Sequence, residues 1–229
     1  MYDLHYAPDN ASLILRLVME EAGLPYRAVL VDRRIRQQDS AAYRALNPSG
    51  LIPTLVTPDG PISETAACLL WLAEAHPEAG LAPAPGHALR QPFLKWLFFL
   101  SNTAHADLRQ LFYPDQYVPA EATPGHTALL TARMMRHFGL LNQAASDHPT
   151  LFAAPCVLSY YTATLMRWPM LYPKAAARWF NLHHYPALQA MAEALEQRPA
   201  TRAAITAEGL GPAPFTAPQY PCPPEGSAL

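Results

Sequence analysis

The residues from Asn47 to Ala67 constrain this chain more than any other stretch. They read Asn-Pro-Ser-Gly-Leu-Ile-Pro-Thr-Leu from position 47, then Asp59-Gly60, then Ile-Ser-Glu-Thr-Ala-Ala from position 62. Pro53 opens an apolar strand that carries Leu55 and Val56, and a residue without an N–H belongs at a strand start or an edge. Thr57-Pro58-Asp59-Gly60 is a turn, with proline presetting φ and glycine accepting φ > 0. Ser63 is placed to cap the helix that follows, whose apolar stripe is Ala66, Ala67, Leu70 and Trp71. Strand, tight turn, strand and capped helix leave the free amides of that helix's first turn facing an anionic ligand.

The flanking sequence extends the pattern. Tyr2, Leu4 and Tyr6 alternate with Asp3 and His5 as a short strand, and a helix begins at Ser12 and stops at Gly23 and Pro25. Tyr26 to Val31 is a second strand, followed by a short helix around Ala41 to Leu46. Gly80-Leu81-Ala82-Pro83-Ala84-Pro85-Gly86 is a linker. Beyond it the patterns are helical: Leu89 to Gln110, Thr127 to Ala145, Pro155 to Trp168, Pro186 to Glu196 and Ala200 to Ala207. The sequence divides into residues 1–78, an all-α part at 88–208, and a proline-rich tail at 209–229 lying extended against the body or disordered.

With 51% hydrophobic and 15% charged residues, 229 residues can bury a sizeable core. A net charge of −2 gives no nucleic-acid footprint. Three scattered cysteines form no CxxC, which excludes a disulfide framework and a dithiol centre. His183-His184 lacks two further ligands, so no metal site is expected. No apolar run is long enough to span a bilayer, and no signal-type segment opens the chain, which reads as cytoplasmic.

In order and spacing, these elements resemble the glutathione S-transferases. The resemblance covers nearly all 229 residues and implies an α/β thioredoxin-like N-terminal domain (β-α-β-α-β-β-α) followed by an all-α C-terminal domain. It further implies glutathione as co-substrate, a small apolar electrophile or a hydroperoxide as partner, and a homodimer. In that family the proline after the loop is cis, the residue before it bonds glutathione through its backbone, and an acidic residue followed by Ser or Thr holds the γ-glutamyl end. These parts fall on Ile52, Pro53, Glu64 and Thr65. Gln38 falls where the family contacts the glycyl carboxylate.

Such a site must stabilise a thiolate, so its donor sits between the first strand and first helix. Tyr6 to Leu13 is most similar to the bacterial beta class, whose run is Tyr-Ser-Pro-Gly-Ala-Cys-Ser-Leu, but the class cysteine falls on Ala11. Asn10 and Ser12 remain as donors to sulfur or as caps of the helix, with Tyr6 beside them. Asp9 would oppose a thiolate and receives no role. His105 matches the histidine of a beta-class His-Lys pair, whose lysine position is Ala106. Phe93, Trp96, Phe98, Phe99, Phe112, Tyr113 and Tyr117 divide between core and acceptor pocket. The family's Ser/Thr-x-x-Asp capping box is replaced by Cys156-Val157-Leu158-Ser159, which is not expected to close. Two other readings stay open on the same fold: a non-catalytic glutathione-binding or protein-interaction module, and a glutathione-dependent isomerase or lyase.

Overall fold

Alternation in the first strand carries through to burial: Leu4 and Tyr6 of β1 (Tyr2–Tyr6) are buried, and His5 between them is half-buried. The computed structural model describes residues 1–152, 155–174 and 178–228. β1 pairs in parallel with β2 (Tyr26–Leu30) across the crossover helix α1 (Ser12–Glu21). On its other side β1 runs antiparallel to β3 (Thr54–Thr57), with Leu4 opposite Leu55, and β3 folds back into β4 (Gly60–Ser63). The order β2-β1-β3-β4, with α2 (Ala41–Leu46) and α3 (Thr65–Ala75) completing the unit, is thioredoxin-like.

The β3–β4 turn closes as its composition dictates. Thr57 Oγ1 donates to the Gly60 carbonyl at 3.0 Å and accepts the Asp59 N–H at 3.1 Å, while Gly60 takes φ +116°. Ser63, however, does not cap α3. It ends β4 opposite Thr54, and the N-cap position is Glu64, whose side chain makes no capping bond.

The remaining elements are helical. α4 (Arg90–Phe99), a π-helical turn over Leu100–His105 and α5 (Ala106–Phe112) form one rod, so the helix expected over 89–110 is widened at its middle. α6 (Thr123–Asp147) begins four residues before the expected Thr127, because Pro124 sits in the first turn, where a missing N–H costs nothing. A short α7 (Pro149–Phe152) precedes α8 (Val157–Arg167), and α9 (Pro186–Glu196) and α10 (Pro199–Glu208) follow. α8 is buried along its whole length, and α1 buries Leu13, Ile14, Leu15, Leu17, Val18 and Met19 completely against the sheet, α3, α8 and α10. Each such side chain contributes about 1.5–3 kcal/mol of apolar burial.

The capping box of α8 does close, against expectation. Ser159 Oγ accepts the Cys156 N–H at 2.9 Å, and the Cys156 sulfur faces the Ser159 N–H while its thiol donates to the Leu151 carbonyl at 3.1 Å. A serine hydroxyl does the work of the family's carboxylate, and a thiol that of its hydroxyl.

The proline-rich tail packs on the body. The Tyr6 hydroxyl donates to Glu225 at 2.6 Å, Arg33 donates to the Ala228 carbonyl at 2.6 Å, and the Cys222 N–H donates to the Gly209 carbonyl at 2.9 Å. A Cβ on Gly226 would come within 2.6 Å of Leu30, so the backbone there lies flush against β2. Leu229, the last residue of the expected tail, lies outside the described residues. Among the described residues no helix is long and apolar enough to cross a membrane.

Candidate functional site

A cavity of about 960 Å³ lies between the thioredoxin-like sheet and the helices. Its floor is fixed by local hydrogen bonds. Buried Asn47 accepts the Ser49 N–H and hydroxyl and donates to the Leu51 carbonyl at 2.8 Å, and the Tyr43 hydroxyl donates to the same carbonyl at 2.7 Å. The loop so held presents Ile52 and Pro53, joined by a cis peptide bond, at the cavity wall.

Glu64 stands next to them. Its φ of +68° and ψ of 112° are sparsely populated for a side-chain-bearing residue, at about 1–3 kcal/mol, and such strain clusters at ligand clamps. Its carboxylate makes no hydrogen bond or ion pair among the described residues. Thr65, Ala66 and Ala67 continue the wall, so the open first-turn amides of α3 lie beside that free carboxylate. Gln38 also lines the cavity, with a buried Oε1 that has no partner among the described residues.

His105, the last residue of the π-helical turn Leu100–His105, also lines the cavity. Its Nδ1 lies 2.9 Å from the Tyr161 hydroxyl, and the ring packs edge-on to Tyr161 and tilted against Trp168. Burial, reinforced by the nearby Arg109 guanidinium, pulls the imidazole down to about 4, so it is neutral near pH 7. Burial and the Glu64 charge push the Tyr161 phenol upward, keeping it protonated. The tautomer in which the phenol donates to Nδ1 carries the imidazole proton on Nε2.

Asp9, at φ +49°, borders the same cavity but is occupied elsewhere. Arg167 grips its carboxylate in a two-pronged pair at 2.8 and 3.0 Å, and Trp168 Nε1 and the Tyr172 hydroxyl donate to it at 3.0 and 2.8 Å. Both members of the ion pair are fully buried. The charge expected to oppose a thiolate is therefore neutralised and hydrogen-bonded.

Of the residues singled out in the sequence, Asn10, Gln38, Ile52, Pro53, Glu64, Thr65 and His105 all line this one cavity. Two do not reach it. Ser12 is fully buried, its hydroxyl donating to the Ala7 carbonyl at 3.0 Å and accepting the Ala7 N–H at 3.3 Å, so it has no hydrogen left for sulfur. Tyr6 turns under Arg16 toward Glu225. Asn10 accepts the Ala11 N–H through Oδ1 at 2.8 Å, which leaves its Nδ2 hydrogens to donate. Neither Asn10 nor Ser12 caps α1 with its side chain. Phe98, Phe112 and Tyr113 line the cavity, whereas Phe93 and Trp96 are core. Tyr161, Trp168, Tyr172 and Arg109 were not foreseen. Arg109 was within reach, since it follows His105 by four residues on one helical face. Tyr161 lies 56 residues from His105, and no local pattern joins them.

Comparison with known proteins agrees with this geometry. The family model for the glutathione S-transferase N-terminal domain matches residues 11–75. Glutathione S-transferase GstA of Escherichia coli O157:H7 is 27% identical over 210 residues, covering 90% of this chain and 98% of that protein. Disulfide-bond oxidoreductase YfcG of Escherichia coli K12 is 29% identical over 218 residues, covering 92% and 97%. A sphingomonad glutathione S-transferase solved in complex with glutathione superposes with a TM-score of 0.74 at 29% identity, over 91% of this chain and 100% of that one. Over about nine-tenths of its length the chain is similar in sequence and in fold to glutathione S-transferases, and its residues 11–75 match that family's N-terminal domain.

Proposed function

We propose that this protein is a glutathione transferase. One observation carries the reading: a strand-edge backbone at Ile52, an unpartnered carboxylate at Glu64 and the open helix N-terminus at Thr65 converge on one cavity wall. That set complements a tripeptide offering a peptide edge, an ammonium and a carboxylate. Ile52 pairs through its main chain with the cysteinyl unit, Glu64 takes the γ-glutamyl ammonium, and the amides at Thr65 take its α-carboxylate. Gln38 and Arg33 lie toward the glycyl end.

Asn10 Nδ2 and the His105 imidazole supply the hydrogen bonds that favour the thiolate over a thiol of pKa roughly 8.5. The sulfur then forms a bond to the electrophilic carbon of a small apolar substrate, whose leaving group departs with the bonding pair, or it attacks the outer oxygen of a hydroperoxide, releasing the alcohol and leaving a sulfenic acid that a second glutathione converts to glutathione disulfide and water. Residues 1–78 bind glutathione and 88–208 shape the acceptor side. The reading places the protein in the cytoplasm, in detoxification, as a homodimer. Leu129 and Leu140, exposed three turns apart on α6, support a second copy against that face.

Isothermal titration with reduced glutathione and an S-alkyl glutathione tests the site. Binding in the micromolar to low-millimolar range, abolished in Glu64→Ala, is expected; no binding of either ligand to the unaltered protein would sink the reading. Binding without turnover of any electrophile favours the non-catalytic module, the reading to which Ala11, standing at the beta-class cysteine position, points.

A further inference from the structure

We infer that the acceptor half of the cavity takes an aromatic electrophile bearing a carboxylate, received by Arg109 with Lys174 at the rim. The inference rests on the transferase reading above. Three carboxylates line the cavity: Asp9, Asp39 and Glu64. Asp9 is held by Arg167, and Asp39 by Arg36 and Arg44. Glu64 is matched by the ammonium of glutathione when the tripeptide is bound. The two carboxylates of glutathione are in turn assigned to the α3 N-terminus and to Gln38 and Arg33, the latter donating to the Ala228 carbonyl and to the Tyr113 hydroxyl.

Arg109 and Lys174 are left over. Arg109 is half-buried, stacks 5.3 Å from the Tyr113 ring centroid and donates to the neutral Gln116 amide at 2.9 Å. Lys174 lies 5.0 Å from the Tyr220 ring. Neither forms an ion pair among the described residues. Phe112, Tyr113, Trp168 and Tyr172 line the same cavity, with Phe112 packed edge-on to Tyr172 and Tyr172 against Tyr220. A partly desolvated guanidinium beside aromatic plates, with no acid opposite, is complementary to a flat anion. An uncharged electrophile would leave both cations unanswered. Arg109 also lies near His105 in the same cavity, close to the imidazole that the transferase reading assigns to the sulfur.

The test compares S-(4-carboxybenzyl)glutathione with its neutral isostere, S-(4-carbamoylbenzyl)glutathione, by titration calorimetry on the full chain. The carboxylate should bind at least about fivefold tighter, or roughly 1 kcal/mol. That preference should collapse toward unity in Arg109→Gln/Lys174→Gln and survive in Arg109→Lys, with glutathione binding reporting that each variant is folded. Equal binding of the two conjugates to the unaltered protein, or a preference unchanged in the double variant, overturns the inference and leaves the transferase reading standing. Failure of glutathione and both conjugates to bind overturns the reading and this inference together.

Discussion

A histidine that has lost its proton through burial behaves differently from one awaiting a proton in solvent. His105 is such a group: its imidazole titrates at about 4 in the fold against 6.5 ordinarily. Below pH 6.5 the unfolded chain takes up a proton that the folded protein refuses, so stability falls as the pH drops from 6.5 to about 4 and is unaffected by this group above that window. Replacing His105 with Gln should flatten the acid limb of a urea-denaturation profile over that interval. An identical difference between the two proteins above and below the window would refute the assignment. The same residue shows what local sequence carries. Glu64, Thr65, Ile52 and Asn10 could be placed at the cavity from sequence because each sits in a turn or helix start whose backbone shape is marked locally, whereas His105 reaches it through a π-helical turn that no residue pattern marks. Ser12 and Tyr6 share such a motif and still point away, because Ala7 and Glu225 claim their hydroxyls, and neither claim is visible along the chain.

Elements were easier to read than contacts. β1, α1 and α2 fall where alternation, glycine and proline put them, since those signals act within a turn or two. The π-helical turn before α5 escaped notice because no residue in Leu100–His105 breaks a helix; the widening is a product of packing. The start of α8 escaped for another reason. Cys156-Val157-Leu158-Ser159 lacks the carboxylate of a standard box, yet Ser159 Oγ reaches the Cys156 N–H at 2.9 Å in a buried setting. Ser159→Ala removes that acceptor and strands a buried donor, and should cost about 1–3 kcal/mol in chemical denaturation. Ser159→Asp, restoring a carboxylate at the third position, should recover part of the loss. A cost below a few tenths of a kcal/mol would mean that the serine is incidental to the helix.

Across the whole molecule the sheet and the helices are joined by a buried polar clamp, not by apolar contact alone. Asp9, Arg167, Trp168 and Tyr172 form its centre, and Arg167 also donates to the carbonyls of Pro214 and Gln219 at 3.0 Å each. Alongside, Glu208 accepts the Asp9 N–H at 2.8 Å and pairs with Arg16 at 2.7 Å. Asp9→Asn leaves the fully buried Arg167 without its counter-charge and should destabilise by about 3–5 kcal/mol, whereas Asp9→Asn combined with Arg167→Met should regain much of it. Additive losses in the double variant would show that the two residues act independently. The fold class was legible from element order alone, but this clamp was not, because it joins residues 158 positions apart. That separation has a further meaning when the chain is thought of as emerging from a ribosome. At about 5–20 residues per second, roughly eight to thirty seconds pass between the making of Asp9 and that of Arg167, and Tyr6 waits longer still for Glu225, 219 positions on. The first loop of the protein is thus among the last parts of it to gain its full set of hydrogen bonds, waiting on partners from the helical part and the tail.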